Sequence, residues 1–292
     1  MCNYYSIGRC RRLFKRHDGL AVKDASAYDR ILALIMKDRN DALVYFKSQL
    51  ELKNIKQFRK DARARGKNYP LLVILYTAII RSYYLRPRLN RFVVSGRIYQ
   101  RQDIVIAMVV KPRMTDDSEE TVIKLHFKGN ESLDDVERIL QDGIDNARQQ
   151  ETVETKTDKL VLKLNKLPTF CLKLAVGLFK SLDKINCLPA SLIEASPFHA
   201  TVFVTNVGSI GLDAIYHHIY NFGTIGNFIA IGKKVKVPKL VDGNLEETSC
   251  INIGIVSDER ICDGLYLSKS MRVFRKFIEH PELLESRADS NQ

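Results

Sequence analysis

Ser257-Asp258-Glu259-Arg260-Ile261-Cys262-Asp263-Gly264 is the stretch from which this 292-residue chain is best read. On its N-terminal side, Cys250 to Val256 alternates apolar and polar residues, the period of a strand. On its C-terminal side, Leu267, Met271, Phe274, Phe277 and Ile278 recur at helical spacing. A short charged turn between a strand and a helix is a place where folds present functional side chains. Glu259 and Asp263, four residues apart, read either as a general base with a structural partner or as two solvated turn acids.

A second stretch lies some fifty residues upstream. Thr201-Val202-Phe203-Val204-Thr205-Asn206-Val207-Gly208-Ser209-Ile210-Gly211 is a strand that ends at a hydroxyl residue, Thr205, and runs into a Gly-containing turn. Taken alone it suits any sheet. Between the two stretches, Phe228-Ile229-Ala230-Ile231-Gly232-Lys233 is a further apolar strand.

In this order and spacing the stretches resemble the catalytic domain of the dihydrolipoyl acyltransferases, the cores of 2-oxoacid dehydrogenase complexes. That family carries an Asp-His-Arg-x-x-Asp-Gly signature and a Thr-Ile-Ser-Asn-Leu-Gly strand end. Chloramphenicol acetyltransferases share the fold and a related His-x-x-x-Asp motif. Glu259 stands where the family has histidine. The resemblance runs in pattern from about Asp24 to Leu284.

The resemblance implies an α/β two-layer fold of the chloramphenicol acetyltransferase type, a mixed sheet covered by helices. It implies a homotrimer with sites between subunits, Glu259 of one protomer near Thr205 of the next. The Thr205 hydroxyl would stabilise an oxyanion. Asp263 would pair with an arginine and shape the loop, Arg9, Arg11 and Arg12 being candidates. Coenzyme A thioesters are the implied substrates, the acceptor is open, and cofactor-binding residues cannot be assigned. No covalently attached lipoyl group is expected, because no lipoyl or subunit-binding segment precedes Asp24.

Histidine suits base catalysis because it titrates near neutrality. A glutamate with a pKa of about 4.3 is a poor match for a thiol near 8.5. Burial raises a carboxyl pKa, so a buried Glu259 would be a usable base and an exposed one would not. Two readings follow: an acyltransferase with glutamate in place of histidine, or a non-catalytic trimeric pseudoenzyme serving as a scaffold or binding protein.

The rest of the chain divides as follows. Residues 1–23 form a basic arm, 24–285 the acyltransferase-like domain, and 286–292 a disordered tail. Asp24 is placed to cap a helix bearing Tyr28, Ile31, Leu32, Ile35 and Met36. Ala42 to Leu50 reads as a strand. Leu52, Ile55, Phe58 and Ala62 mark a helix closed by Gly66, and Pro70 opens an apolar helix that stops before Pro87. Ser95-Gly96 turns a hairpin between Arg91–Val94 and Arg97–Tyr99. Asp103–Val110 and Thr121–Phe127 are strands around an acidic loop at Thr115–Glu120. Ser132 and Asp135 approximate a capping box.

Residues 156–198 depart from the family, whose cores usually have a shorter link there. Apolar residues from Leu160 to Leu182 interleave with four lysines there. The segment suits an amphipathic helix on a membrane surface. It also suits a helical insertion packed on the domain with its lysines in water, which is the expectation here because Pro168, Gly177 and Pro189 divide it.

The formal net charge is +12. Residues 1–113 hold 25 Lys and Arg against 8 Asp and Glu, a field that attracts polyanions or a phosphate-rich ligand. No zinc-finger, helix-turn-helix or RNA-binding aromatic pattern favours a nucleic-acid partner. Six scattered cysteines without a C-x-x-C pair argue against a metal site or disulfide framework and for the cytoplasm. The largely apolar ten-residue run from Leu71 to Ile80 is too short to span a bilayer. Of the histidines, His199 would lie roughly 20 Å from Thr205 along one strand. His217 and His218 fall on an expected helix, Asp213 to Tyr220, in surface or core roles.

Overall fold

The computed structural model describes residues 16–110, 121–149 and 168–288. Its centre is a six-stranded sheet of β2 (Leu43–Glu51), β5 (Ile104–Val110), β6 (Thr121–Phe127), β7 (Val202–Asn206), β8 (Asn227–Val241) and β9 (Asn244–Asp258). The spatial order is β2-β9-β8-β7-β5-β6. β7 runs parallel to β5 and β8, and the other neighbours are antiparallel, so the sheet is mixed. A three-stranded sheet of β1 (Leu20–Ala21), β4 (Arg97–Gln100) and β3 (Arg91–Val94) stands beside it.

Alternation along the strands sends one set of side chains to each face. Ile106, Val202, Val204, Ile229, Ile253 and Ile255 meet the helices α2 (Lys53–Ala64), α3 (Leu71–Leu85), α4 (Leu133–Gln149) and α7 (Gly264–Glu279). α3 is buried almost all round, and two of its hydroxyls are satisfied within the helix: Thr77 Oγ1 donates to the Val73 carbonyl and Ser82 Oγ to that of Ala78. Val105, Ala107, Phe228, Ala230 and Val256 face the other way, where Ala200, Ile219 and Ile225 cover them. This is the expected two-layer arrangement, a mixed sheet with helices on it.

Local signals hold at most boundaries. Ser95 and Gly96 both take positive φ, as a tight hairpin turn requires. Ser132 and Asp135 cap each other reciprocally at the start of α4. The first helix, α1 (Ala27–Ile35), is capped by Ser26, whose hydroxyl accepts from the Asp29 amide; Asp24 stands too far upstream to do so.

Three further expectations are corrected, and the 156–198 segment is described in part. Asp213 to Tyr220 is not a helix but an extended strap across the sheet. Its backbone crosses β8 at Gly232 and β9 at Gly254, where a Cβ would collide with Ala214 and with the Ile215 carbonyl. β8 and β9 continue well beyond the segments legible in sequence, as a hairpin turned by Asp242 and Gly243. Residues 286–288 are packed rather than a free tail: Arg287 pairs with Asp135 and the Ala288 amide donates to the Asn130 carbonyl. Part of the 156–198 segment is the helix α5 (Thr169–Lys184), followed by the short α6 (Ala190–Ala195), but α5 packs by one side only. Leu172, Ala175, Phe179 and Leu182 are half-buried, whereas Phe170, Leu174, Val176 and Leu178 stand in solvent. The loop at 115–120, the arm before Arg16 and residues 156–167 lie outside the described residues.

Candidate active site

The signature stretch begins where β9 ends. Asp258 closes the strand, and Glu259–Ile261 form one turn of 3₁₀ helix whose Arg260 amide donates to Asp258 Oδ1. Asp258 is fully buried. Arg260 grips its carboxylate with Nε at 2.8 Å and Nη2 at 2.7 Å, and Arg39 Nε lies 3.4 Å away. A charge removed from water is tolerated only when paired in this manner. The two guanidiniums also reach outward. Arg260 Nη1 donates to the Met36 carbonyl beyond α1, and Arg39 donates to the carbonyls of Tyr220 and Gly223 at the end of the strap. Burial pushes the Arg39 pKa down, and Asp258 partly restores it.

Glu259 itself projects into solvent. Asp263 caps α7 by accepting from the Tyr266 amide at 2.8 Å, and Arg88 Nη1 stands 3.9 Å from it, both side chains being largely exposed. The candidates Arg9, Arg11 and Arg12 lie outside the described residues. Asp263 thus has an arginine near it, Arg88, in an exposed pair, while the buried ion pairs of the loop are those of Asp258. Burial pushes the Cys262 thiol up to about 12, so the loop's cysteine stays protonated and is no nucleophile.

Thr205 lies on β7, on the sheet face opposite the helices, because its neighbours Val202 and Val204 point into the helical core. Asp258 is on that same face, in phase with Val256. Thr205 pairs with Ala230, and Ala230 with Gly254. Glu259 is five residues beyond Gly254, about 16 Å along the sheet at 3.3 Å per residue. Two strand spacings add about 10 Å sideways, so the two residues stand about 19 Å apart in one chain. Glu259 and Asp263 are therefore brought together on one loop, and Thr205 is not brought to them.

The strap gives His217 a setting that neither a surface nor a core role describes. Its ring stacks on Phe228 at 4.3 Å, and Phe228 stacks at 5.0 Å on Phe203, two residues before Thr205. It thus occupies the open face between the rows of Thr205 and Glu259. Nδ1 lies 2.7 Å from the His218 carbonyl, which only accepts. Nδ1 is therefore the donor in that bond, which leaves Nε2 as the ring nitrogen not engaged by it. The signal for the strap is the pair Gly232 and Gly254 inside strands, a mark of close backbone approach.

His199 does not lie on the Thr205 strand. It precedes β7, is buried, accepts or donates at 2.7 Å with Ser196 Oγ, and stands 3.3 Å from Asp183. With Asp18, Arg101, Lys124 and His126 it lines a polar cavity of about 180 Å³. Lys124 donates to the carbonyls of Ile193 and Glu194, and burial brings its pKa down to about 8. Among the described residues, no group of three or more His, Cys, Asp or Glu is placed to hold a metal ion. No helix among them is long and apolar enough to cross a membrane.

Residues 194–285 match the family model described as 2-oxoacid dehydrogenases acyltransferase (catalytic domain). No curated protein sequence matches the chain. Among solved structures, a probable dihydrolipoamide acetyltransferase from Listeria monocytogenes 4b F2365 is similar at 14% identity and a TM-score of 0.57, over 93% of this chain and 97% of that one. A truncated catalytic core of the 2-oxoacid dehydrogenase multienzyme complex from Thermoplasma acidophilum is similar at 17% identity and 0.53, over 89% and 98%. A chloramphenicol acetyltransferase is similar at 11% identity and 0.50, over 89% and 99%. At these identities the likeness is one of fold, and the fold is the one the two motifs implied.

Proposed function

We propose that this chain, which has the fold of the 2-oxoacid dehydrogenase acyltransferase catalytic domain, transfers an acyl group from a coenzyme A thioester to a hydroxyl or thiol acceptor. The working unit is a homotrimer in which Thr205 of one protomer faces the Glu259 loop of its partner. The observation that carries this reading is the pairing of a strand-end hydroxyl on the open sheet face with a loop fixed by the Asp258–Arg260–Arg39 cluster. Neither half completes a site within one chain, and the similar Thermoplasma acidophilum protein is the core of a multienzyme complex.

In such a site the acceptor's proton moves to a base as its oxygen or sulfur bonds to the thioester carbonyl carbon. The Thr205 hydroxyl donates to the carbonyl oxygen as it becomes an oxyanion. Collapse of the tetrahedral intermediate breaks the carbon–sulfur bond, and the leaving thiolate takes up the proton. Asp263 and the Asp258 cluster hold the loop without touching the reacting atoms. Glu259 is the base if the partner protomer covers it and raises its pKa; His217 Nε2 is the second proton acceptor on the same face.

The test is thiol release from a panel of acyl-CoAs with hydroxyl and thiol acceptors. Wild type is compared with Glu259→Gln, Glu259→His, His217→Gln and Thr205→Ala. Turnover that falls by at least two orders of magnitude in Thr205→Ala and Glu259→Gln supports the reading. Loss in His217→Gln with Glu259→Gln intact moves the base to the strap.

The exposure of Glu259 favours a second reading, a trimeric scaffold or binding protein without turnover. Silence of wild type and of every variant across the panel is its expected result. Gain of activity in Glu259→His alone would identify a disarmed site.

A further inference from the structure

Helix α5 (Thr169–Lys184) leaves most of its apolar surface uncovered. Phe170, Leu174 and Leu178 are 75, 66 and 58% exposed. Spaced four residues apart, they form one stripe along the helix. Lys173, Lys180 and Lys184 recur at intervals of seven and four residues and form a second, exposed stripe directly beside the first. The helix has one acidic residue, Asp183, and it is buried and bound by Arg16 Nη2 at 2.8 Å. The exposed surface of α5 therefore consists of an apolar stripe flanked by cations, with no negative charge.

The attachment of α5 to the domain lies at its C-terminal end. Arg16 binds both the side chain and the backbone carbonyl of Asp183, and Ser95 Oγ donates to the Lys184 carbonyl. From that joint the helix runs sixteen residues, about 24 Å. This is short of the roughly 30 Å hydrocarbon core of a bilayer, so it would lie on a membrane and not cross it.

We infer that α5 docks the protein on an anionic lipid surface, lying in the interface with Phe170, Leu174 and Leu178 in the acyl region. Lysines flanking such a stripe bury their methylene stems and keep their ammonium groups at the phosphates. Charge complementarity selects this occupant over a second copy of the chain. A copy would bring the same lysines, on a molecule of net charge +12, against this face. An anionic leaflet instead attracts each of them.

The chain contains no tryptophan, which makes a direct probe available. Phe170→Trp in the full-length protein is titrated with phosphatidylcholine vesicles with and without phosphatidylglycerol. The expected result is a blue-shifted emission with the anionic vesicles only, reversed by high salt, and co-flotation of the protein with them. Adding Leu174→Glu and Leu178→Glu to the Phe170→Trp protein abolishes the shift. Replacing the three lysines by alanine weakens binding at least tenfold. Circular dichroism melting and light scattering on the same variants check that fold and oligomeric state are kept. Absence of any shift or flotation with anionic vesicles overturns the inference. So does a change of oligomeric state in the Leu174→Glu, Leu178→Glu variant without loss of lipid binding, which would make the stripe a contact between protein chains.

Discussion

Arg260 holds the carboxylate of Asp258 at two points, 2.8 and 2.7 Å, inside the turn that the two residues themselves define. Bidentate guanidinium–carboxylate geometry fixes orientation as well as charge. Through Arg260 the turn is tied to the end of α1, and through Arg39 to the end of the strap. Removing the carboxylate leaves two buried guanidiniums facing each other. Asp258→Ala is expected to cost about 3–5 kcal/mol, the range for breaking one side of a buried ion pair. Urea unfolding measures it; a loss below about 1 kcal/mol would show that water replaces the carboxylate.

Gly232 and Gly254 give the strap its path. A methyl group at either position meets strap backbone, which cannot swing aside as a flexible side chain can. Gly254→Ala is expected to destabilise by about 1–3 kcal/mol, as overpacking does. It should also lift His217 off Phe228. Histidine ring NMR signals would report this as loss of the ring-current shift. Gly177→Ala, which meets nothing, is the control.

Acid sensitivity is expected at the buried cluster beside β5. Burial favours the neutral form of Asp18, but the guanidiniums of Arg101 and Arg16 outweigh it and hold the carboxyl at about 2. The folded pKa is lower than the unfolded one, so the contribution is complete above about pH 4 and is lost as pH falls toward 2. Its size is roughly 2 kcal/mol at about 1.36 kcal/mol per pKa unit. Wild type should lose that much stability over this interval, and Asp18→Asn should lack this part of the slope. Equal slopes in both proteins would assign the acid transition to other carboxyls.

Thiol labelling should separate the cysteines by burial. Cys187 is exposed, whereas Cys250 and Cys262 are buried with thiol pKa values pushed up by burial. Iodoacetamide at pH 8 is expected to modify Cys187 within minutes and to reach Cys250 and Cys262 only on unfolding. Site-resolved mass spectrometry gives the rates. Fast modification of Cys262 in the folded protein would mean that the signature turn opens.

The elements legible in sequence are those whose signals are local. The apolar run of β5, the Ser95–Gly96 turn and the Ser132–Asp135 cap each depend on a few adjacent residues, and each is found where expected. The strap reads as a helix because Ile215, Ile219 and the residues around them have a helix-like spacing, while their conformation is set by distant glycines on β8 and β9. The long hairpin escapes a pattern reading although Asp242-Gly243 marks its turn, because its polar strands lack a buried face. At the site, Glu259, Asp263 and Thr205 can be picked out. The burial of Asp258 and the five-residue offset between Thr205 and Glu259 cannot, since both follow from strand register.

The arrangement of Thr205 and Glu259 on one sheet turns a distance within the molecule into a rule about mixtures. In the proposed trimer each chain would carry one half of two different shared sites. A trimer assembled from Thr205→Ala and Glu259→Gln chains would contain one junction where both damaged halves meet and another where both intact halves meet. Two preparations that are each inert would recover activity when unfolded and refolded together, and activity would vanish on dilution before any secondary structure is lost.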